Sequence, residues 1–200
     1  MNQWPLLLAL AQPLSMPSFT EFKNIDEQKG VVVSQAQADG SIPWMQGTAV
    51  IDASYEELYE ALRAYASYNK YFHEHVSVAQ ILQQEGDVFW VYLVWPLPFP
   101  MSDRDAVVRY ESTIDRNAKT ALISWAGAGH EKDPKRALRI EQVSGKTELK
   151  EVAVGKTEVR YIYFGDLGGD LPQWVKMRAW REEPVYYIER LRGIAQKRIK

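Results

Sequence analysis

The sequence predicts an α+β domain in which a curved antiparallel sheet wraps one long C-terminal helix. Three observations predict it. A capping box opens a helix at Ser54, strand-like segments separated by turn signals run from Val76 to Phe164, and the segment from Asp170 onward reads as helix. Strands grouped together, rather than alternating with helices, mark an α+β domain.

The first 18 residues stand apart from the rest. Leu6 to Ala11 is apolar, and Ala9-Leu10-Ala11 before Gln12 has the small-residue spacing of a signal-peptidase site. The n-region carries no Lys or Arg and the apolar run is short for a signal. A truncated signal sequence and a loose N-terminal arm both fit. The first implies a periplasmic or secreted protein and the second a cytoplasmic one. Residues 19–200 read as a single domain, with no linker, low-complexity tract or charge block to divide them.

Within that domain, Lys29 to Gln37 and Trp44 to Asp52 form strand-like runs flanking "ADGS", which predicts a hairpin. Ser54 with Glu57 three residues later caps a helix over Ala53 to Tyr65, where Leu58, Leu62 and Tyr65 recur at helical spacing. Tyr68 to Phe72 adds a turn or two of helix. The spacing then predicts strands over Val76–Gln84, Val88–Trp95, Asp105–Asp115, Lys119–Trp125, Leu138–Val143, Thr147–Val152 and Lys156–Phe164. The last two joints are "SGK" and "VG". Gly-Lys-Thr-Glu occurs at Gly145 and at Gly155, but the glycine a phosphate loop needs five residues earlier is Ile140 and Lys150, so two hairpin turns are expected instead. In the terminal segment Asp170 is the expected N-cap, Leu171, Trp174, Val175 and Arg178 share a face, and Pro184 should kink or briefly break the helix.

Composition narrows the function. A net charge of -2 gives no basic excess for nucleic acid, and the absence of cysteine removes disulfides, thiolate zinc sites and cysteine nucleophiles. No segment is long and apolar enough to span a bilayer as a helix. Seven Trp and eleven Tyr supply large apolar bodies with polar handles, which fit either a packed core or a ligand-contacting interior. Val88 to Trp95, "VFWVYLVW", shows no alternation, so both faces of that strand must be covered.

Enzyme signals are thin. "YFHEHV" places His73 and His75 in a His-x-His pair with no third ligand nearby, so no metal or other cofactor is expected. No nucleophile elbow appears, and Tyr161, Tyr163, Asp166 and His130 are acid–base candidates that nothing singles out. The closing "RLRGIAQKRIK" carries five basic residues, which complement a helix C-terminus or an anionic membrane surface.

Two stretches carry a family resemblance. "WPLPFPMSDRDAVVRY" resembles the proline-bracketed Arg-Asp motif of START domains, the lipid-transfer family related to the steroidogenic acute regulatory protein. "YFGDLGGDLPQWVKMRAW" is similar to that family's closing strand, glycine turn and terminal helix. The resemblance implies a helix-grip fold of the Bet v 1-like superfamily, in a bacterial-type single-domain member. It implies an apolar ligand, a lipid, held in a tunnel between sheet and terminal helix for transfer, storage or sensing, in a monomer that touches membranes transiently. Arg104 and Asp105 would fix the strand crossover, with the Arg104 fork holding backbone carbonyls or a carboxylate. Tyr110 stands where some sterol-binding members carry a second Arg, and Arg109 should face the opposite side. Expected wall residues are Trp90, Tyr92, Tyr110, Tyr161, Tyr163, Trp174, Met177 and Arg178, with the terminal helix or the loop around Gly127 to Lys135 opening to admit ligand. Two other readings stay open: an enzyme of this fold acting on an aromatic or polyketide-like substrate, and an interaction module whose cavity its own side chains fill.

Overall fold

The structure, a computed structural model, describes residues 21–37, 42–72, 75–169 and 171–196. Along the chain come β1 (Lys23–Gln28), β2 (Val31–Ala36), β3 (Trp44–Ile51), α1 (Tyr55–Arg63), a 3-10 turn (Tyr65–Ser67) and α2 (Tyr68–Tyr71). There follow β4 (Val78–Glu85), β5 (Val88–Trp95), β6 (Arg104–Asp115), β7 (Thr120–Gly127), β8 (Leu138–Arg139), β9 (Gln142–Ala153), β10 (Lys156–Asp166) and α3 (Gln173–Ala195). The strands make one sheet in the order β1-β2-β3-β10-β9-β7-β6-β5-β4, antiparallel throughout except that β8 lies parallel to β6. The predicted α+β class and the sheet closing on a C-terminal helix are what the structure shows.

Local chemistry accounts for the helix starts. Ser54 accepts from the Glu57 amide at 3.2 Å while the Glu57 carboxylate accepts from the Ser54 amide at 3.1 Å, so both halves of the capping box are made. The four apolar positions Tyr55, Leu58, Tyr59 and Leu62 are the buried face of α1. The Asp170 cap falls outside the described residues, as does the "ADGS" turn; α3 begins after Pro172, which supplies no side-chain cap. Of the kink or brief break expected at Pro184, the break is absent: α3 is continuous from Gln173 to Ala195 with Pro184 inside it.

The strands depart from the sequence reading at β1, at "SGK" and at the expected strand Leu138–Val143, which divides into β8 and the start of β9. β1 is a highly charged, largely exposed edge strand, "KNIDEQ", and so carries no apolar signal; it is held by pairing with β2. The expected break at "SGK" is instead the interior of the single strand β9. Gly145 is there for close approach: a Cβ would stand 2.5 Å from the Trp125 ring and 2.5 Å from the Ile162 carbonyl oxygen. Gly155, at φ +68°, does sit in the turn between β9 and β10.

The sheet has two apolar faces. Phe89, Val91 and Leu93 of β5 join the main core with Leu58, Tyr65, Ile188 and Leu191. The alternate residues Tyr92 and Val94 join Leu82 and Val107 in a smaller cluster on the other face, with Trp90 and Val78 packed against it. The uniform apolarity of Val88 to Trp95 thus arises because the segment between β7 and β9 folds back over the far face. His130 Nε2 lies 2.8 Å from Gln83 Oε1, and the Arg136 amide donates to the Tyr92 hydroxyl at 3.0 Å.

Candidate functional site: an aromatic interior clasped by the terminal helix

The concave face of the sheet is lined with rings. Tyr161 of β10 stacks on Tyr187 of α3 with centroids 3.8 Å apart and planes at 11°. Trp125 and Tyr163 lie 5.6 Å and 5.2 Å from Tyr161, and Phe72 lies 5.4 Å from Tyr187. Tyr65 continues the series through Tyr110 at 4.4 Å. Burial comes first among the causes that push the Tyr68, Tyr110, Tyr161, Tyr163 and Tyr187 phenols well above the ordinary tyrosine range. They are therefore neutral groups. The Tyr187 and Thr147 hydroxyls meet at 2.9 Å, tying the helix to β9.

Helix α3 grips the sheet unevenly. Between residues 174 and 183 Trp180 is the buried side chain, whereas Pro184, Val185, Tyr187, Ile188 and Leu191 are all buried beyond it. Pro184 is accommodated at a bare stretch of β3, since a Cβ on Gly47 would come within 2.8 Å of the proline Cβ. Having no amide hydrogen, Pro184 leaves the Trp180 carbonyl without its helical donor. The Tyr163 hydroxyl supplies one at 2.7 Å, and the Trp180 indole donates to the Gly165 carbonyl at 3.2 Å. His75 Nδ1 and the Glu183 carboxylate, 2.6 Å apart, join the segment after α2 to the middle of α3, with the imidazole stacked on Tyr186 at 3.6 Å.

The expected wall residues divide accordingly. Tyr110, Tyr161 and Tyr163 are buried in the main core, and Met177 packs against it. Trp90 and Tyr92 require correction: they point away from α3, because they share the parity of Arg109 and Val107, their partners on β6. Arg109 lies over the Trp90 ring at 5.6 Å, on the side opposite Tyr110 as alternation requires. Trp174 is 68 % exposed, and Arg178 pairs in solvent with Glu182 at 2.8 Å, so the inward face of α3 is the one carrying Met177, Trp180, Tyr187 and Leu191. The residues missed were Tyr65, Phe72, Trp125, Thr147 and Tyr187. Helical spacing was the available signal for Tyr187, with Leu191, and for Tyr65, with Leu58 and Leu62; nothing local marked the others.

Arg104 and Asp105 join distant segments. The Arg104 guanidinium donates to the carbonyls of Ser102, Leu167 and Gly168, with Nε at 2.6 Å from Leu167 O. Gly168 and Gly169 both have positive φ, and a Cβ on Gly169 would stand 3.2 Å from the Arg104 fork. The proline-bracketed turn and the glycine turn are thereby fastened together at the entry to α3. Asp105, fully buried, accepts from the Tyr92 hydroxyl at 2.7 Å and the Ala137 amide at 3.0 Å, and pairs with Arg139 at 2.8 Å. It anchors the return of the 128–141 segment. Beside that segment lies a cavity of about 600 Å³, whose walls include Val107, Gly127, Gly129, Ala137 and Ile140.

The acid–base candidates are not brought together. His130 lies over the far face beside Trp90 at 6.2 Å, Tyr161 and Tyr163 are in the core, and Asp166 accepts from the Gly168 amide at 2.9 Å. His73 falls outside the described residues. Among the described residues no group of three metal-ligating side chains occurs.

No family model matches the sequence. An uncharacterized protein of Pseudomonas aeruginosa is 29 % identical over 121 residues, which are 60 % of this chain and 59 % of that protein, so the match spans less than two thirds of its relative. The structure superposes on a STAR-related lipid transfer protein from Xanthomonas axonopodis with a TM-score of 0.77 at 19 % identity, covering 88 % of this chain and 98 % of that one. The chain has the START fold. Human StAR-related lipid transfer protein 5 shares that START fold with a TM-score of 0.77 at 18 % identity, over 88 % and 86 % of the two chains. An aromatase/cyclase from Streptomyces sp. R1128 is more distant, with a TM-score of 0.59 at 16 % identity over 78 % and 95 %.

Proposed function

We propose that this START-fold chain binds an apolar small molecule between the concave face of the sheet and α3, and carries, stores or senses it rather than converting it. The observation that supports this is the ring-lined interior closed by a helix whose first half contributes one buried side chain, Trp180, between residues 174 and 183. Such a lining shelters an apolar molecule at roughly 25 cal/mol per Å² removed from water. That half is fastened by the Trp180 and Glu183 contacts and buries little else, so breaking those few contacts is what opening it requires. The solved STAR-related proteins of the same fold are named for lipid transfer, which agrees with the reading. Native mass spectrometry of the purified protein, with organic extraction of what is released, tests it. A stoichiometric adduct is expected. A clean protein mass that persists after incubation with phospholipids, sterols and fatty acids overturns the proposal.

A second reading is favoured by one observation. Tyr161 and Tyr187 already stack face to face, so the protein's own rings occupy part of the interior. In an interaction module they would stay there. Ligand-dependent change in the near-ultraviolet circular dichroism of the tyrosines separates the two readings, since a permanently filled interior shows none.

A further inference from the structure

The interior rings are layered rather than caged. Tyr161 is within 11° of parallel to Tyr187, 23° to Trp125 and 20° to Tyr163. Layers of that kind receive a flat body between them, and Tyr187, carried on the helix, now takes that place. A cage for a cation would instead turn several ring faces toward one point.

Charged side chains stand at the ends of this slot rather than within it. Among the described residues Arg104 and Asp105 are the fully buried charged side chains, and both are engaged outside the aromatic series. At the Tyr65 end, Arg63 is paired with Asp87; at the other, Glu183 is paired with His75. Burial first, and then the Glu183 charge, hold the Tyr161 and Tyr163 phenols un-ionised, and a ligand carboxylate or phosphate placed there meets the same two penalties. The polar handles inside are neutral hydroxyls, among them the buried Thr147–Tyr187 pair.

We infer that the ligand is an uncharged, flat, unsaturated ring system bearing a hydroxyl or carbonyl, which replaces Tyr187 against Tyr161 and takes over the hydrogen bond of Thr147. This rests on the ligand-binding reading above. A saturated chain gains the same burial but not the ring–ring contact, which is worth up to about tenfold in affinity.

Calorimetric titration of the full chain with hydroxypyrene, pyrene, pyrenecarboxylate and dodecanol tests the inference. Hydroxypyrene should bind about tenfold more tightly than dodecanol, which lacks the ring contact, and more tightly than pyrenecarboxylate, whose charge would have to be buried. Tyr161→Leu should erase the advantage over dodecanol, and Tyr161→Phe should keep it. Thr147→Val, which preserves side-chain shape and guards against loss of fold in the leucine variant, should abolish the advantage of hydroxypyrene over pyrene. Dodecanol or pyrenecarboxylate binding as well as hydroxypyrene overturns the ligand class while leaving apolar binding standing. Binding of none of the probes overturns the ligand class, and the adduct test above then decides whether apolar binding stands. A hydroxypyrene preference that survives Tyr161→Leu and Thr147→Val removes the slot assigned to it.

Discussion

Tyr163 shows how one side chain can serve two purposes. Its ring lies beside Tyr161 in the interior, and its hydroxyl donates to the carbonyl that Pro184 leaves unmatched in α3. Tyr163→Phe should therefore cost about 1–2 kcal/mol in urea denaturation, from a buried acceptor left without a donor. A loss within experimental error would mean that the helix satisfies Trp180 in another way. Arg104→Met should cost more, about 3 kcal/mol, because a buried cation serves three carbonyls across two loops. Trp174 gives the opposite case. At 68 % exposed it should tolerate Trp174→Asp with ligand uptake unchanged; abolished uptake in a folded variant would return it to the binding wall.

Elements reveal why identical short motifs had different fates. The two Gly-Lys-Thr-Glu stretches differ only in what faces them: Gly155 turns the chain, whereas Gly145 lies beneath the Trp125 ring in mid-strand. Gly145→Ala should destabilise by about 2–3 kcal/mol, since the added methyl meets a backbone oxygen that cannot withdraw. Gly155→Ala should cost only about 1 kcal/mol, the penalty of positive φ with open space around it. Equal losses in thermal unfolding would refute this distinction. The same logic explains α3: its first half reads polar because, among the described residues, Met177 and the Trp180 ring alone face the core there, while Val185, Tyr187, Ile188 and Leu191 carry the packing beyond Pro184.

At the scale of the whole molecule, the aromatic interior sets the alkaline limit of stability. Burial raises the folded-state values of Tyr68, Tyr110, Tyr161, Tyr163 and Tyr187, so their contribution is complete below the unfolded value of about 10 and is lost as pH rises toward the folded ones. Phenolate absorbance of these residues should appear together with loss of far-ultraviolet circular dichroism, not before it. Acid acts on the segment over the far face. Burial works to raise the Asp133 carboxyl, but the hydrogen bonds and charges of Arg139 and Lys135 outweigh it and hold the group below the usual range. Its stabilisation is present above about pH 4 and lost as pH falls through the folded value. The denaturation midpoints of the parent protein and Asp133→Asn should differ at neutral pH and converge in acid; a gap that persists in acid contradicts the assignment.

What the sequence determined by itself is what local chemistry enforces. The capping box at Ser54, the strand Val88–Trp95, the turn at Gly155 and the ordering of strands before a terminal helix all follow from patterns within a few residues. The Arg-Asp pair was legible as a structural fork through the family resemblance, which implied a place at a strand crossover where a guanidinium has few other uses. Tertiary structure decided which face each strand presents. "VFWVYLVW" is apolar on both sides, so no alternation distinguishes Trp90 and Tyr92 from Phe89 and Val91; register against β6 and the cover given by the 128–141 segment make the difference. It also decided the site, since Tyr65, Trp125, Tyr161 and Tyr187 are far apart in sequence and become one stack only when the sheet curves around α3.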